Sequence, residues 1–229
     1  MSLGDDLKSE VAKFFSEQWT TREGQKVPES SDLKLANDAV KLEATVLYAD
    51  LSGSTKLVDG YKPHFAAEIY KSYLHCAAKI IRSEGGAITS YDGDRVMAVF
   101  IGDSKDTSAA RAGLKINYAT KNIVNPAIKA QYNTEFQASQ TVGIDTGTLF
   151  VARTGIRGYN DLVWVGRAAN YAAKLTELPS EYPTWITGSV YSMLHNSLKT
   201  SDDKNIWEAR KWTAMNDHSI YRSSWWWSV

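Results

Sequence analysis

The order of hydrophobic patterns along the chain limits the possible folds more than any other feature. An alternating, β-branched strand pattern is followed by a helix, a hairpin, a second helix that breaks near Pro126, and a second hairpin. This order predicts an α+β fold with a ferredoxin-like βαββαβ core, in which both helices cover one face of an antiparallel sheet. The expected segments are residues 43–50, 64–83, 87–101, 106–119 and 135–154, with hairpin turns at 92–94 and 145–147.

Further patterns flank this core on both sides. Apolar residues at helical spacing predict an amphipathic helix from Asp6 to Trp19, and a polar, turn-rich connector follows it. A helix is expected over residues 166–177, and two late strands over 206–213 and 219–226. The expected division is an N-terminal helix and connector over residues 1–41 and a main domain over residues 42–229.

The charge balance and the cysteine count exclude several classes of function. Lys and Arg total 26, as do Asp and Glu, so there is no overall field that would draw the protein onto a nucleic acid or an acidic membrane. A single cysteine, Cys76, excludes a disulfide framework, and the four histidines lack zinc-site spacing. With no apolar run long enough to span a bilayer and no secretion signal, we expect a cytoplasmic protein.

Two aspartates mark a candidate metal site. Asp50 ends the first expected strand, and Asp94 lies at the tip of the hairpin that would pair beside it. Carboxylates from adjacent strand ends can share divalent cations such as Mg²⁺ or Mn²⁺, which activate a hydroxyl and neutralise phosphates. The turn Gly53-Ser54-Thr55 follows at once, and its N–H groups could cradle phosphate oxygens. Either motif alone also fits an ordinary cap or turn.

Three stretches, in order, resemble the catalytic domain of class III nucleotidyl cyclases. The resemblance covers roughly residues 42–221. The stretches are 48–55 (Tyr-Ala-Asp-Leu-Ser-Gly-Ser-Thr), 91–100 (Tyr-Asp-Gly-Asp-Arg-Val-Met-Ala-Val-Phe) and 165–175 (Val-Gly-Arg-Ala-Ala-Asn-Tyr-Ala-Ala-Lys-Leu).

This resemblance implies a role for each matching position. Asp50, Leu51 and Asp94 would bind two divalent metal ions, Mn²⁺ or Mg²⁺, and Gly53, Ser54 and Thr55 would bind phosphates. Asn170 matches the asparagine that positions the ribose. Lys174 lies four residues later, on the same helix face, where it could stabilise developing phosphate charge.

The chain departs from the family pattern at the positively charged side chains expected to contact phosphate. The family usually has arginine where Lys174 stands, and lysine keeps the charge but loses the planar fork. The family usually has a lysine on a late strand that contacts the terminal phosphate. No clear match for it is found in this sequence, although Arg210 or Lys211 could substitute. These departures keep a catalytically inactive, nucleotide-sensing cyclase domain open as an alternative.

The base-reading positions also differ from the purine cyclases of the family. The purine-reading lysine and its partner fall on Ser90 and Val163, and the Val163 side chain cannot form hydrogen bonds. Tyr48 lies on the same strand face as Asp50, and Arg95 follows Asp94, so this pair could contact a smaller ring. An equal alternative is that both are structural, with Tyr48 in the core and Arg95 as a solvent-facing residue of the hairpin. The substitutions favour a pyrimidine base.

The stretch around residues 28–50 resembles the stand-alone pyrimidine cyclases of Pycsar antiphage defence. The segments that carry this resemblance are 35–40 (Leu-Ala-Asn-Asp-Ala-Val) and 47–51 (Leu-Tyr-Ala-Asp-Leu). The resemblance implies a uridylate cyclase that converts UTP to 3′,5′-cyclic UMP, acts as a homodimer with shared active sites, and signals to a separate effector protein. A cytidylate cyclase, then a purine cyclase, are the enzymatic alternatives. A GGDEF-type cyclase shares the core, but Gly85-Gly86 is followed by Ala87-Ile88 rather than by the box that defines that family.

Overall fold

The computed structural model describes residues 2–229, which form two units. One unit consists of residues 2–43 and 148–166, and the other of residues 44–147 and 167–229. The helices are α1 (Leu3–Ser16), α2 (Ser54–Gly60), α3 (Pro63–Ser83), α4 (Lys105–Ala119), α5 (Asn125–Tyr132), α6 (Arg167–Leu175) and α7 (Gly188–Met193). The strands are β1 (Thr20–Glu23), β2 (Asp38–Ser52), β3 (Ala87–Asp92), β4 (Arg95–Phe100), β5 (Ser139–Ile156), β6 (Tyr159–Val165), β7 (Thr184–Thr187), β8 (Thr200–Ser201), β9 (Lys204–Asn205), β10 (Glu208–Trp212) and β11 (His218–Ser223).

The larger unit has a sheet in the order β10-β11-β7-β5-β2-β4-β3. Its members β5-β2-β4-β3 are linked through α3 and α4, which is the strand order of a ferredoxin-like βαββαβ core. The predicted fold class is therefore confirmed. Strand β7 adds to β5 in parallel, and β11 and β10 extend the sheet in antiparallel fashion, as the late strand patterns predicted.

Helix α3 forms because its apolar residues recur every three or four positions. Phe65, Ile69, Tyr73, Ala77 and Ile80 are buried on one face of the helix, which packs against α4, β3 and β4. Proline at its first turn and a basic residue in its last turn favour both ends. This packing fixes the hairpin β3–β4, whose tip carries Asp94.

The second predicted hairpin is wrong in its position. Residues 145–147 do not turn but continue through the middle of β5, a single strand of 18 residues. The reason is that Asp145 is buried inside the sheet, where its carboxylate accepts a hydrogen bond from the Thr187 hydroxyl (2.6 Å) instead of capping a turn. The chain reverses later, at Arg157-Gly158, where Gly158 has a φ of +86°.

The smaller unit holds the elements that the sequence predicted least well. The expected helix over 6–19 runs over Leu3–Ser16 instead, and the connector contains β1, which pairs in parallel with the first residues of β2. Trp19 lies outside the helix and contacts the Phe150 ring edge-on, at 5.0 Å between centroids. Residues 148–165 form the hairpin of β5 with β6, a strand that was not predicted. The predicted domain limits, 1–41 and 42–229, stay a prediction.

The helix after α4 and the chain's tryptophans also differ from expectation. The chain stays helical through a π-helical turn, Thr120–Val124, and Pro126 occupies the first turn of α5. Strand β11 ends at Ser223, and the following tryptophans lie along α4. The Asn117 side-chain amide donates to the Trp225 carbonyl (2.7 Å).

Among residues 2–229, no helix has both the length and the apolar character that crossing a membrane requires.

Candidate active site

Strand register places the two predicted metal aspartates at the same end of the neighbouring strands β2 and β4. In the antiparallel pair β2 and β4, Asp50 lies opposite Arg95. Asp94 directly precedes Arg95, in a two-residue turn whose Gly93 has a φ of +60°. Both carboxylates line one cleft of about 530 Å³. Its lining residues are Asp50, Leu51, Ser52, Gly53, Ser54, Asp92, Gly93, Asp94, Arg95, Thr176, Glu177, Leu178 and Ser180.

The electrostatics of this cleft favour a cation. Burial and the nearby negative charge of Asp94 together raise the pKa of Asp50. The Oδ2 atom of Asp94 is buried and has no hydrogen-bond partner within the described chain. An unpaired buried carboxylate oxygen beside a second carboxylate is costly unless a positive charge neutralises it. The donor set therefore fits a hard divalent cation.

The two carboxylates would not bind a metal ion without other ligands. Residues 2–229 contain no group of three or more His, Cys, Asp or Glu side chains that could hold one. Mg²⁺ in nucleotide enzymes is commonly held by one or two carboxylates together with substrate phosphates and water. Asp50 and Asp94, which line the cleft together with Leu51, match that kind of partial site.

The turn after β2 has the backbone shape expected of an anion cradle. Gly53 adopts a left-handed conformation, with a φ of +75°, directly before α2. Leu51 is buried and anchors the turn, while Ser54 lines the cleft. Thr55, also predicted to bind phosphate, is exposed at the start of α2.

Two contributions to the site were not predicted from the sequence. The segment from Thr176 to Ser180, after α6, forms a wall of the cleft. Tyr73, on α3, is buried with an unpartnered hydroxyl, and burial together with the charges of Asp50 and Asp94 holds its pKa well above the usual range. No local motif marks either one, because only the folded sheet brings them beside the aspartates.

Asn170 and Lys174 share an exposed face of α6, as their spacing predicted. Neither residue is among those, within 2–229, that line the cleft of Asp50 and Asp94. The structure therefore places Gly53 and Ser54 in the cleft of the two aspartates but does not place Asn170 or Lys174 on its lining.

The predicted base-binding residues divide between the two units. The Arg95 guanidinium lies 5.6 Å from the centre of the Tyr48 ring, a cation–π contact. Tyr48 and Ser90 both pair with Met97 in register, so the three residues form one row across the sheet. Val163 is an exposed residue of β6, in the smaller unit.

Comparison with known proteins identifies the family. No family model matches the sequence. The chain is 56% identical over 231 residues to a uridylate cyclase of Xanthomonas perforans and 53% identical over 231 residues to one of Burkholderia cepacia, and both alignments cover 100% of each chain. The chain belongs to the uridylate cyclase family. The resemblance to nucleotidyl cyclases is thus confirmed.

Solved cyclase structures share the fold of this uridylate cyclase family member. The adenylyl cyclase CyaB of Pseudomonas aeruginosa superposes with a TM-score of 0.69 at 21% identity, covering 81% of this chain and 95% of CyaB. A dimeric guanylyl cyclase domain from the fungus Blastocladiella emersonii gives a TM-score of 0.62 at 14% identity, covering 80% of this chain and 97% of that domain. At these identities the likeness concerns the fold alone.

Proposed function

We propose that the protein converts UTP to 3′,5′-cyclic UMP and pyrophosphate. The observation that carries the catalytic assignment is the cleft in which Asp50 faces Asp94, whose buried Oδ2 lacks a partner. The choice of UTP is supported by the full-length relatives named uridylate cyclase. The 3′-hydroxyl oxygen bonds to the α-phosphorus, the bond from that phosphorus to the bridging oxygen breaks, pyrophosphate leaves with the electron pair, and the hydroxyl proton passes to water.

Asp50, Asp94 and the Leu51 carbonyl would hold two divalent ions, Mn²⁺ or Mg²⁺. When bound, such ions acidify the attacking hydroxyl and neutralise charge on the triphosphate. The chain's own turn from Gly53 to Thr55 directs N–H groups at the phosphates.

The base contacts come from Tyr48 and Arg95. The guanidinium offers only donors, which match the uracil carbonyls, and the Tyr48 ring offers a stacking face or a hydroxyl. Ser90 lies on the same row of the sheet and is small enough to leave room for the base. The same donors could serve O2 and N3 of cytosine, so CTP is the competing substrate.

A second copy of the chain would complete the site. Asn170, which would orient the ribose, and Lys174, which would stabilise phosphate charge, do not line the cleft of their own chain among residues 2–229. In a C2 homodimer, each copy can lend these two residues to the other, giving two composite sites. The β5–β6 hairpin exposes Ile156, Tyr159 and Val165, an apolar surface that fits such an interface.

We also propose a signalling role in antiphage defence. The resemblance to Pycsar cyclases supports it, and cyclic UMP would act on a separate effector protein. Cells expressing the chain should accumulate cyclic UMP on phage infection, and mass spectrometry of extracts, with an Asp94→Asn strain as control, measures it. Equal concentrations of cyclic UMP in infected and uninfected cells would show that phage infection does not trigger its synthesis.

One competition experiment tests the enzymatic proposal. The purified protein is incubated with equimolar ATP, GTP, CTP and UTP and Mn²⁺, and the cyclic products are measured by mass spectrometry. Dominant cyclic UMP is expected. Dominant cyclic CMP would change the pyrimidine, dominant cyclic AMP or GMP would overturn the base assignment, and no product at all would favour a nucleotide-sensing domain.

A further inference from the structure

Asp145 is a buried carboxylate that the proposed reaction does not use. It lies inside β5 with its side chain fully shielded from solvent, and its Oδ1 accepts the hydrogen bond from the Thr187 hydroxyl. Its Oδ2 lies 3.2 Å from Nε of Arg167. A buried carboxylate is costly unless it is paired, so the ion pair with Arg167 is what allows a charge at this position.

Arg167 ties the first turn of α6 to β5. It is the first residue of α6, and its Nη2 lies 3.2 Å from the Thr146 carbonyl and 3.4 Å from Asp145 Oδ1. Its guanidinium also lies 5.4 Å from the centre of the Tyr171 ring, one turn along the helix. Several contacts of one planar group restrict the rotation of the helix as well as its position.

Gly143 provides a second contact on the same face of β5, because it lies two residues before Asp145. A Cβ atom at Gly143 would lie 2.1 Å from the Ala172 carbonyl and 2.7 Å from the Leu175 Cβ. The second half of α6 therefore rests directly on the strand backbone. Asp145 and Gly143 together define both ends of the helix.

Helix α6 is short, and its other packing comes mainly from Leu175 and Tyr171, which lie against a cluster of Trp185, Trp212 and Ile220. It has nine residues, and those it buries are Ala168, Ala169, Ala172 and Leu175. Small side chains bury little apolar area, and a helix this short is not stable alone. Asn170 and Lys174 follow Arg167 by three and seven residues, so they lie on its side of the helix. A displacement of about 1 Å at such groups can cost on the order of a hundredfold in rate.

We propose that Asp145 is a positioning residue: through Arg167 it fixes α6 so that Asn170 and Lys174 meet the nucleotide in the productive orientation. This inference rests on the proposed function, since it takes Asn170 and Lys174 as nucleotide-contacting groups.

A double-mutant cycle tests it. We expect Asp145→Asn to lower kcat for UTP roughly tenfold or more, with a much smaller change in the half-saturating Mn²⁺ concentration, because neither Asp50 nor Asp94 is carried by α6. In an Asn170→Ala background, the same substitution should lower kcat by less than about threefold further, since the amide that Asp145 orients is gone.

Two comparisons separate positioning from stability. Asp38 is a second buried aspartate paired with an arginine, since its Oδ1 lies 2.6 Å from Nη1 of Arg22, and Asp38→Asn should lower the melting temperature while kcat stays within about twofold. Arg167→Lys should retain several-fold more kcat than Arg167→Gln, because it keeps the charge. The Arg167 side chain is 45% exposed, so these two variants decide the question if Asp145→Asn does not fold.

Wild-type kcat in folded Asp145→Asn, or equal kcat in the two Arg167 variants, would overturn the inference. The inference would also be overturned if Asp145→Asn lowered kcat by the same factor in the Asn170→Ala background as in wild type. If Asn170→Ala alone has wild-type kcat, the proposed function of α6 fails first, and the inference with it.

Discussion

Asp50 and Arg95 lie opposite each other in the register of β2 and β4. Side chains two residues apart on a strand share a face, so Tyr48 lies on the same side as Asp50, and its ring contacts Arg95. One register therefore puts the carboxylate proposed to bind metal and the pair proposed to bind the base side by side. A slip of one residue would turn Asp50 and Tyr48 to the other face of the sheet.

The first prediction concerns the metal carboxylates. Asp50→Asn and Asp94→Asn should each lower kcat for UTP at least about a hundredfold, because each removes a charge that holds the divalent ions. Asp59→Asn, an exposed aspartate of α2, serves as the matched control and should keep wild-type turnover. Product formation is followed by release of pyrophosphate. Near-wild-type turnover in either folded cleft variant would disprove the metal assignment.

Much of this site could be predicted because its parts are local in sequence. A strand that runs into Asp50, a tight turn with Asp94 and a helix with Asn170 each leave a short pattern. The segment 176–180 that lines the cleft leaves none, and neither does Tyr73, since only tertiary packing brings them near the two aspartates. The continuous course of β5 through Asp145-Thr146-Gly147 was missed because turn-forming residues there satisfy buried contacts with Thr187 and Arg167 instead.

A second prediction follows from the raised pKa of Asp50. A carboxyl whose pKa rises on folding stabilises the fold at acid pH, below its ordinary value of 3.8, and loses that contribution as the pH rises through the raised value. In EDTA at pH 7, Asp50→Asn should therefore be more stable than wild type. For a half-buried group, with solvent screening, we expect a gain of less than about 1 kcal/mol.

Urea unfolding across pH 3 to 8 measures this difference. The gain should shrink as the pH falls through the raised pKa and approach zero at the acid end of this range, below the ordinary value of 3.8, where Asp50 becomes protonated in both states. Added Mn²⁺ should reverse the order, since it stabilises wild type by binding the folded site. A variant that is less stable than wild type in EDTA at neutral pH would contradict the cost of burying a charged Asp50 beside Asp94.

The third prediction addresses the shared site. Mixtures of Asp50→Asn and Asn170→Ala, each inactive alone, should regain activity after subunit exchange. If mixing is random, half the dimers are heterodimers with one intact site of two, so about a quarter of wild-type activity should return. Subunit exchange is verified with differently tagged chains. Activity that stays at the level of the separate variants would show that each chain builds its own site.

The fourth prediction is that Arg95 selects the base. Arg95→Ala should lower the share of cyclic UMP in the four-nucleotide competition about tenfold or more, since the uracil carbonyls lose the donors of a partly buried guanidinium. The half-saturating Mn²⁺ concentration should change by less than about threefold. Arg82→Ala, an exposed arginine of α3, is the control. Unchanged product ratios in Arg95→Ala would remove Arg95 from the base site.

The fifth prediction tests how closely α6 must approach β5. Gly143→Ala introduces a Cβ atom that would lie 2.1 Å from the Ala172 carbonyl, and backbone on both sides leaves no flexible group to move. We expect a loss of about 1–3 kcal/mol in the free energy of unfolding, as for overpacked cores, together with a lower kcat because α6 carries Asn170 and Lys174. Gly60→Ala is the control, since nothing lies within 4 Å of a Cβ there and alanine favours the helix. Urea unfolding and steady-state kinetics on both variants measure the two effects, and wild-type stability in Gly143→Ala would mean that α6 can shift away from β5 without cost.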